Sequence, residues 1–207
     1  MIKYRELTTG PTAKRMVVML HGLGSDADDL IALAPYLDLA QCYFFSPNGI
    51  EPCDMLGFGY QWFSLQNPDF PALMEAIGNA KASVMDMIVS KADQLDIALG
   101  DVILLGFSQG AMMSMYLALT ATTPFHSVVA FSGRLILTPG MITQKQTPIC
   151  IVHGDADSVV PVEHAYHAST ILHQVSVPST MHICKGLSHS IDADGLQFAK
   201  DFINAYS

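Results

Sequence analysis

Short apolar runs recur along the chain and are separated by segments with a helical periodicity. The runs are bounded by turn residues, as expected for strands of a sheet that is buried on both faces. The predicted strands cover residues 15–20, 41–46, 101–107, 127–131, 148–153 and 180–184. We therefore expect a central sheet whose strands are mostly parallel.

The intervening segments repeat their apolar residues near a period of 3.6, which predicts amphipathic helices. The clearest covers 73–95, where Leu73, Ile77, Val84 and Ile88 share one face. Further helices are predicted over 26–37, 109–119, 162–175 and about 193–205, whereas the glycine-, proline- and aromatic-rich residues 47–71 predict an irregular segment. Because strands and helices alternate, we expect an α/β fold with helices on both faces of the sheet. No repeat or linker divides residues 1–207, which predicts a single domain.

Composition narrows the class of partner. Of the 207 residues, 50% are hydrophobic and 14% are charged, and the formal net charge is −9. Because a nucleic-acid-binding protein needs a basic face, this charge argues against nucleic acid as a partner. The longest apolar runs, 16–20 and 102–105, are far shorter than the roughly 18 residues that span a bilayer, so we expect no stable membrane insertion.

Two further features predict a cytoplasmic location. The first residues of the sequence, Met1-Ile-Lys-Tyr-Arg-Glu, lack the apolar stretch of a secretory signal. The cysteines Cys42, Cys53, Cys150 and Cys184 are scattered without a C-x-x-C pair. We therefore expect neither a zinc site nor a disulfide framework.

The turn after the third predicted strand carries the first candidate chemistry. Its sequence is Gly106-Phe107-Ser108-Gln109-Gly110, which fits the G-x-S-x-G nucleophile elbow of the α/β-hydrolase fold. In that elbow a serine sits on a strained strand-to-helix turn, and the flanking glycines allow the strand and the helix to approach closely. The pattern alone is weak, but an apolar strand precedes it and a helix-forming segment follows it. Ser108 is therefore the predicted nucleophile.

An H-G-x-G sequence, His21-Gly22-Leu23-Gly24, follows the first predicted strand. A loop of this kind supplies one backbone N–H of an oxyanion hole, and the residue after the nucleophile supplies the other. Those donors would be Leu23 and Gln109. Each N–H aimed at the oxyanion can be worth roughly 3–4 kcal/mol in the transition state. The alternative is a glycine-rich turn without a catalytic role.

Two aspartates compete for the role of the acid. In the α/β-hydrolase fold the acid follows the nucleophile along the chain and precedes the histidine. The strand predicted over 148–153 is followed by Gly154-Asp155-Ala156-Asp157. We favour Asp157, which begins the loop to the next helix, and expect Asp155 to hold the turn through bonds to the backbone.

Choosing the base requires an argument, because the chain has eight histidines. His189 lies just past the last predicted strand and before the last predicted helix, from where it could approach the nucleophile. His182 lies inside the last strand. His164, His167 and His173 lie in a predicted helix and are expected to be surface or packed residues. His189 is therefore the predicted base.

The combined motifs resemble the phospholipase/carboxylesterase group of α/β-hydrolases, which includes carboxylesterases and acyl-protein thioesterases. The resemblance is carried by H-G-L-G at 21–24, G-F-S-Q-G at 106–110, H-G-D-A-D at 153–157 and G-L-S-H at 186–189. It implies an α/β-hydrolase fold without a large lid domain, and a reaction that needs no cofactor and no metal. The chain would cleave carboxylic esters or S-acyl thioesters on small molecules or acylated proteins.

The resemblance also implies roles for single residues. Ser108, Asp157 and His189 would form a catalytic triad that works through an acyl-enzyme, with Leu23 and Gln109 as oxyanion donors. Residues predicted to line the substrate groove are Trp62, Phe63 and Val159.

One departure from the family pattern concerns charge. Arg134 stands where relatives often carry an aromatic residue, which could place a positive charge near the site. Substrate length and polarity are therefore open. A lysophospholipase-type activity and a non-catalytic binding role on the same fold are the alternatives. A homodimer is possible.

Overall fold

The computed structural model describes residues 2–66 and 69–206. Its strands are β1 (Tyr4–Thr8), β2 (Arg15–Leu20), β3 (Cys42–Pro47), β4 (Glu51–Pro52), β5 (Tyr60–Gln61), β6 (Val102–Phe107), β7 (Ser127–Phe131), β8 (Ile149–Gly154) and β9 (Ser179–Cys184). Its helices are α1 (Ala27–Ile31), α2 (Ala34–Leu37), α3 (Phe70–Gln94), α4 (Gln109–Thr120), α5 (Glu163–Gln174) and α6 (Ala193–Ala205), with 3₁₀ turns at Leu99–Asp101 and Pro139–Met141. Every strand predicted from the sequence is present, with its ends within one residue of the prediction.

The described residues form one large sheet with strand order β1-β3-β2-β6-β7-β8-β9. Within this sheet only β1 and β3 pair antiparallel, and all other neighbours are parallel. Strands β4 and β5 form a separate two-stranded antiparallel sheet. The prediction of a mostly parallel sheet is confirmed. Strand β6 lies at the centre, so the turn that follows β6 lies in the middle of the edge where such sheets bind ligands.

Strand β1 was not predicted from the sequence. Only Leu7 is shielded from solvent, while the other four residues of the strand are exposed, so the apolar signal is weak. Lys91 of α3 anchors the strand, with Nζ 3.6 Å from Glu6 Oε2 and 4.3 Å from the ring centroid of Tyr4. Because this anchor comes from a residue distant along the chain, the local pattern could not predict it.

The helix predicted over 26–37 is two short helices, α1 and α2, and this prediction was wrong. Pro35 lies in the first turn of α2, where its missing N–H is not needed. In a continuous helix its ring would clash with the carbonyl of residue 31 and remove a hydrogen bond. Asp26 caps α1 by accepting a hydrogen bond from the N–H of Asp28 at 2.9 Å.

Helices cover both faces of the sheet, as predicted. Residues of α3, α4 and α5 pack with one set of strand side chains, which includes Val18 and Leu104. Residues of α1, α2 and α6 pack with the alternate set, which includes Val17 and Ile103. In the described ranges the long segment between β3 and α3 holds only the two-residue strands β4 and β5, so the expected absence of a large lid domain is confirmed. None of the helices described is both long and apolar enough to cross a bilayer.

Candidate active site

Ser108 lies on the sharp turn between β6 and α4. Its backbone has φ 53° and ψ −114°, a conformation that costs a non-glycine residue about 1–3 kcal/mol. The neighbouring elements hold it: the N–H of Ser108 donates to the carbonyl oxygen of Phe131 at 2.9 Å, and the N–H of Met112 donates to the carbonyl oxygen of Ser108 at 3.1 Å. The turn presents the serine side chain to a cleft at the carboxyl edge of the sheet.

The two glycines of the elbow allow this close approach. A Cβ on Gly106 would lie 2.3 Å from the carbonyl oxygen of Gly110. A Cβ on Gly110 would lie 1.8 Å from the carbonyl oxygen of Leu20 at the end of β2. Because both contacts are with backbone atoms, no side-chain movement would relieve them. The spacing of the glycines around Ser108 therefore has a steric cause.

Ser108, His189 and Asp157 form a continuous chain of hydrogen bonds. His189 Nε2 lies 3.0 Å from Ser108 Oγ, and His189 Nδ1 lies 2.7 Å from Asp157 Oδ2. Because an ionised carboxylate only accepts hydrogen bonds, His189 Nδ1–H is the donor to Asp157. In the neutral imidazole, His189 Nε2 is the unprotonated nitrogen and accepts the hydrogen bond from the hydroxyl of Ser108. Three residues that are 81 and 32 positions apart along the chain thus meet at one point.

Asp157 is held ionised by its hydrogen bonds. Its Oδ1 accepts from the backbone N–H groups of Val159 at 2.9 Å and Val160 at 2.8 Å. Burial alone would raise the pKa of this carboxyl. The hydrogen bonds from His189, Val160 and Val159 outweigh burial, so the pKa of Asp157 is below its ordinary value. The carboxylate is therefore charged at neutral pH and can orient the imidazole of His189.

A second histidine, His153, contacts the same carboxylate and was not identified from the sequence. It is fully buried at the end of β8, and its Nε2–H donates to the carbonyl oxygen of Val160 at 2.7 Å. The same nitrogen lies 3.4 Å from Asp157 Oδ2. His153 therefore fixes the loop that carries Asp157. The available signal was a polar residue at the carboxyl end of an otherwise apolar strand.

The competing candidates lie elsewhere. Asp155 Oδ1 accepts a hydrogen bond from the N–H of Gly186 at 2.5 Å, so this aspartate ties two loops together. His182 in β9 contacts the exposed Asp194 of α6, with Nε2 2.7 Å from Oδ2. Neither residue has a contact with Ser108.

The loop after β2 brings Leu23 to the cleft beside Gln109, the first residue of α4. As the first residue of a helix, Gln109 has a backbone N–H without an intrahelical acceptor. Within the described residues the N–H of Leu23 is not used in a hydrogen bond. Both predicted oxyanion donors are therefore available to a ligand next to Ser108.

The side chain of His21 stabilises the loop after β2 through buried hydrogen bonds. The ring of His21 is buried, with Nδ1 2.7 Å from the carbonyl oxygen of Gly22 and Nε2 2.9 Å from the backbone N of Gly49. Nδ1–H must donate to Gly22, since Nε2 accepts from the N–H of Gly49. Burial lowers the pKa of His21, which agrees with this neutral form. The histidine of the H-G-x-G sequence thus has a structural role.

The structure places Trp62 and Phe63 in the core, and neither lines the cleft. Trp62 is fully buried, and its Nε1–H donates to the carbonyl oxygen of His21 at 2.8 Å. The side chain of Gln109 accepts from the N–H of Trp62 at 2.9 Å and donates to the carbonyl oxygen of Phe63 at 2.7 Å. Both aromatic residues thus support the loop after β2 and α4, because their polar groups satisfy buried partners. This clamp by Gln109 was missed from the sequence.

The cleft in front of Ser108 has a volume of about 440 Å³ and mostly apolar walls. Its lining residues are Gly22, Leu23, Leu56, Leu65, Phe107, Ser108, Gln109, Met112, Arg134, Val159, Val160, His164 and His189. Val159, predicted from the family pattern, is 66% exposed and stands at this cleft. Two further lining residues carry polar groups: Arg134, and His164, which the sequence pattern had favoured as a surface or packed residue.

The one group of potential metal ligands found among the described residues lies away from the cleft. It consists of His182, Cys184 and Asp194, whose ligand atoms are within 4.8 Å of one another. Burial raises the pKa of the Cys184 thiol to about 12, so this sulfur is protonated at neutral pH in the metal-free protein.

Comparison with known proteins agrees with this geometry. The sequence model of the Phospholipase/Carboxylesterase family matches residues 8–207. The crystal structure of esterase PE8 superposes with a TM-score of 0.92 at 32% sequence identity, covering 100% of this chain and 99% of that chain.

Two curated proteins are more distant relatives. Esterase YpfH of Escherichia coli (strain K12) is 25% identical over 193 residues, which are 92% of this chain and 82% of the relative. Acyl-protein thioesterase 1 of Kluyveromyces lactis is 26% identical over 212 residues, 93% of this chain and 92% of the relative. With the elbow, the cleft and the match over residues 8–207, the chain belongs to the phospholipase/carboxylesterase family of α/β-hydrolases.

Proposed function

We propose that the protein hydrolyses carboxylic esters or S-acyl thioesters, with Ser108 as nucleophile, His189 as base and Asp157 as the acid that orients the base. One observation carries the proposal. The hydrogen-bonded chain from Ser108 Oγ through His189 to Asp157 begins on a strained elbow at the floor of an apolar cleft. An idle serine would need neither the strain nor the paired histidine.

In the first half of the reaction Ser108 Oγ attacks the carbonyl carbon of the substrate. His189 Nε2 takes the hydroxyl proton, and Asp157 stabilises the imidazolium that forms. The carbonyl oxygen becomes an oxyanion, to which the backbone N–H groups of Leu23 and Gln109 donate. When the tetrahedral intermediate collapses, the bond to the leaving group breaks. The alcohol or thiol leaves with the proton from His189, and the acyl group stays on Ser108.

In the second half a water molecule attacks the carbonyl carbon of the acyl-enzyme. His189 takes a proton from this water, and a second oxyanion forms at the same two N–H groups. Collapse releases the carboxylic acid, and Ser108 regains its proton from His189. The overall change is one water consumed for each ester or thioester bond broken.

The shape of the cleft and the relatives support this substrate class. The apolar walls fit an acyl chain, because burial of each methylene contributes about 0.8 kcal/mol. All three methionines near the start of α4 pack in the core, and of these Met112 also lines the cleft, whereas Met113 and Met115 do not. The names of the relatives, esterase and acyl-protein thioesterase, are the basis for proposing both small-molecule and acylated-protein substrates.

Covalent labelling tests the nucleophile. A fluorophosphonate probe should label the wild-type protein, and Ser108→Ala should remove the labelling and reduce turnover by about a million-fold. Ser179→Ala, which changes an exposed serine of β9, is the matched control and should label like the wild type. Labelling that persists in Ser108→Ala would sink the assignment.

Substrate comparison tests the bond that is cleaved. We would compare p-nitrophenyl esters of increasing acyl length with a palmitoyl thioester, and measure kcat/KM for each. Turnover of one or both series is expected. If no ester or thioester is turned over, the protein is a binding module on a hydrolase fold.

A further inference from the structure

Arg134 lines the cleft because it follows a strand next to the one that carries the elbow. It follows β7, the neighbour of β6, in the sequence Ser132-Gly133-Arg134. Gly133 passes close to α4: a Cβ at this position would lie 2.6 Å from the Cβ of Ala111 and 3.3 Å from the carbonyl oxygen of Ser108. The chain is therefore held against the elbow just before the arginine, and the side chain of Arg134 becomes part of the cleft wall.

Arg134 also borders a second hollow. That hollow has a volume of about 390 Å³ and is lined mostly by apolar residues of α3, of α5 and of the segment after β7. Arg134 and His164 line both spaces. A group bound by this arginine would therefore lie at the boundary between the two hollows, within the extended site that begins at Ser108.

The guanidinium of Arg134 is not neutralised within the protein. Its Nε is buried and has no hydrogen-bond partner in the described ranges. Over those same ranges no carboxylate forms an ion pair with it. Because a buried donor without a partner is costly, an unpaired arginine in a binding cleft indicates that a ligand supplies the partner.

The charges around the cleft favour an anionic partner. In the part of the chain that the structure describes, no aspartate or glutamate lines the cleft, and Arg134 is its single lysine or arginine. Burial lowers the pKa of His164, and the positive charge of Arg134 lowers it further. His164 is therefore uncharged at neutral pH and offers a neutral hydrogen-bonding group beside the guanidinium. The cleft lining thus carries one positive and no negative side chain, in a chain with a net charge of −9.

We propose that Arg134 binds an anionic group on the substrate, and that the protein prefers esters that carry a carboxylate or a phosphate away from the bond that is cleaved. This inference rests on the proposed hydrolase function. The planar guanidinium donates two parallel hydrogen bonds to a carboxylate or a phosphate, so both groups fit the same site. The apolar walls hold the intervening chain.

Paired substrates test the preference. On the acyl side we would compare monomethyl adipate with dimethyl adipate, which has the same chain but no free carboxylate. On the alcohol side we would compare 1-butyrylglycerol 3-phosphate with 1-butyrylglycerol. The measured quantity is the ratio of kcat/KM for the anionic ester to kcat/KM for its neutral counterpart. We expect at least one ratio to exceed 1. The substrate pair with the higher ratio shows whether the anion recognised by Arg134 lies on the acyl side or on the alcohol side of the ester.

Variants assign the preference to Arg134. In Arg134→Gln this ratio should fall at least about 10-fold, the scale of a lost hydrogen bond to a charged group. Arg134→Lys, which keeps the charge but not the planar fork, should retain part of the preference. Lys145→Gln removes an exposed positive charge that does not line the cleft, and should keep the wild-type ratio. Raising the salt concentration should lower the ratio of the wild type, because salt screens the pairing.

The inference is overturned if the wild type prefers neither anionic ester, or if the preference survives in Arg134→Gln. Calorimetric binding of monomethyl adipate and 1-butyrylglycerol 3-phosphate to Ser108→Ala, with and without Arg134→Gln, separates this inference from the proposed function. If the wild type turns over no ester but Ser108→Ala binds either anion in an Arg134-dependent manner, the anion site stands and the proposed hydrolase function is refuted. If the wild type turns over neutral esters but neither anion binds in an Arg134-dependent manner, the hydrolase function stands and the anion site is refuted.

Discussion

Gln109 contributes two different groups to the candidate site. Its backbone N–H is a predicted oxyanion donor, and its side chain clamps the backbone of Trp62 and Phe63 with hydrogen bonds of 2.9 and 2.7 Å. The backbone role is independent of residue type and follows from the position after the nucleophile. The side-chain role depends on glutamine, because only an amide both accepts and donates at this length.

Replacing this side chain tests the clamp. Gln109→Ala leaves the buried N–H of Trp62 and the carbonyl of Phe63 without partners, so the free energy of unfolding should fall by about 1–3 kcal/mol. Urea denaturation followed by circular dichroism measures the loss. Gln197→Ala, which removes an exposed amide bonded to Asp201, is the matched control and should change stability by less than about 0.5 kcal/mol. Equal stability of the two variants would contradict a structural role for the clamp.

The local pattern around each residue determined how well its role was predicted. Ser108 and Asp157 stand in short motifs whose spacing has a steric or topological cause, and the structure brings them together through His189. Trp62 had no such constraint. An aromatic residue in a glycine-rich segment can face a ligand or the core, and contacts with His21 and Gln109, both distant along the chain, decided for the core.

At the scale of elements, the elbow depends on how closely three of them approach. Strand β6, helix α4 and the end of β2 meet at Gly106 and Gly110. The sequence predicted β6 and α4 with nearly correct bounds, because an apolar run and a helix-forming segment meet at one turn. The helix over 26–37 was wrong, since Pro35 starts a new helix there.

The loss of stability on replacing a glycine with alanine should be larger where less space is available to the new Cβ. Gly110→Ala would place Cβ 1.8 Å from the carbonyl oxygen of Leu20, so a loss of about 3 kcal/mol or more is expected. Gly22→Ala, whose Cβ would meet a ring atom of Phe107 at 3.2 Å, should lose less. Gly100→Ala has no atom within 4 Å of the new Cβ and is the matched control.

Differential scanning calorimetry would measure the melting temperatures of the three variants. The expected order is Gly100→Ala highest and Gly110→Ala lowest. If Gly110→Ala does not accumulate as a folded protein, the comparison of Gly22→Ala with Gly100→Ala still tests the ranking. A Gly110→Ala protein as stable as Gly100→Ala would refute the steric account of the elbow.

At the scale of the whole molecule, the reactivity of the cysteines reports on how well the core is shielded from solvent. All four are buried in the structure, and Cys42, Cys150 and Cys184 lie in the core on one face of the sheet. Burial raises the pKa of Cys150 to about 12, and that of Cys184 to about 12. Because the thiolate is the reactive form, both low exposure and high pKa suppress reaction with thiol reagents.

Thiol labelling with Ellman's reagent at pH 8 tests this closure. The four native thiols should react at least about 1000-fold more slowly than in denaturant, since reaction requires opening of a core stabilised by several kcal/mol. Ser179→Cys, which adds an exposed thiol on β9, is the positive control and should contribute one fast equivalent. Rapid reaction of native thiols in the wild type would show that the core opens locally.

The sequence by itself determined the α/β order of elements and the elbow at Ser108, and it singled out Asp157 and His189, whose side chains the structure brings to Ser108. Apolar periodicity and turn chemistry are local properties, and the order of nucleophile, acid and histidine is set by the topology of the fold. Only the tertiary structure decided the edge strand β1, the inward position of Trp62 and the unpaired charge of Arg134 at the cleft. Each of these depends on contacts between residues far apart along the chain, which no local pattern encodes.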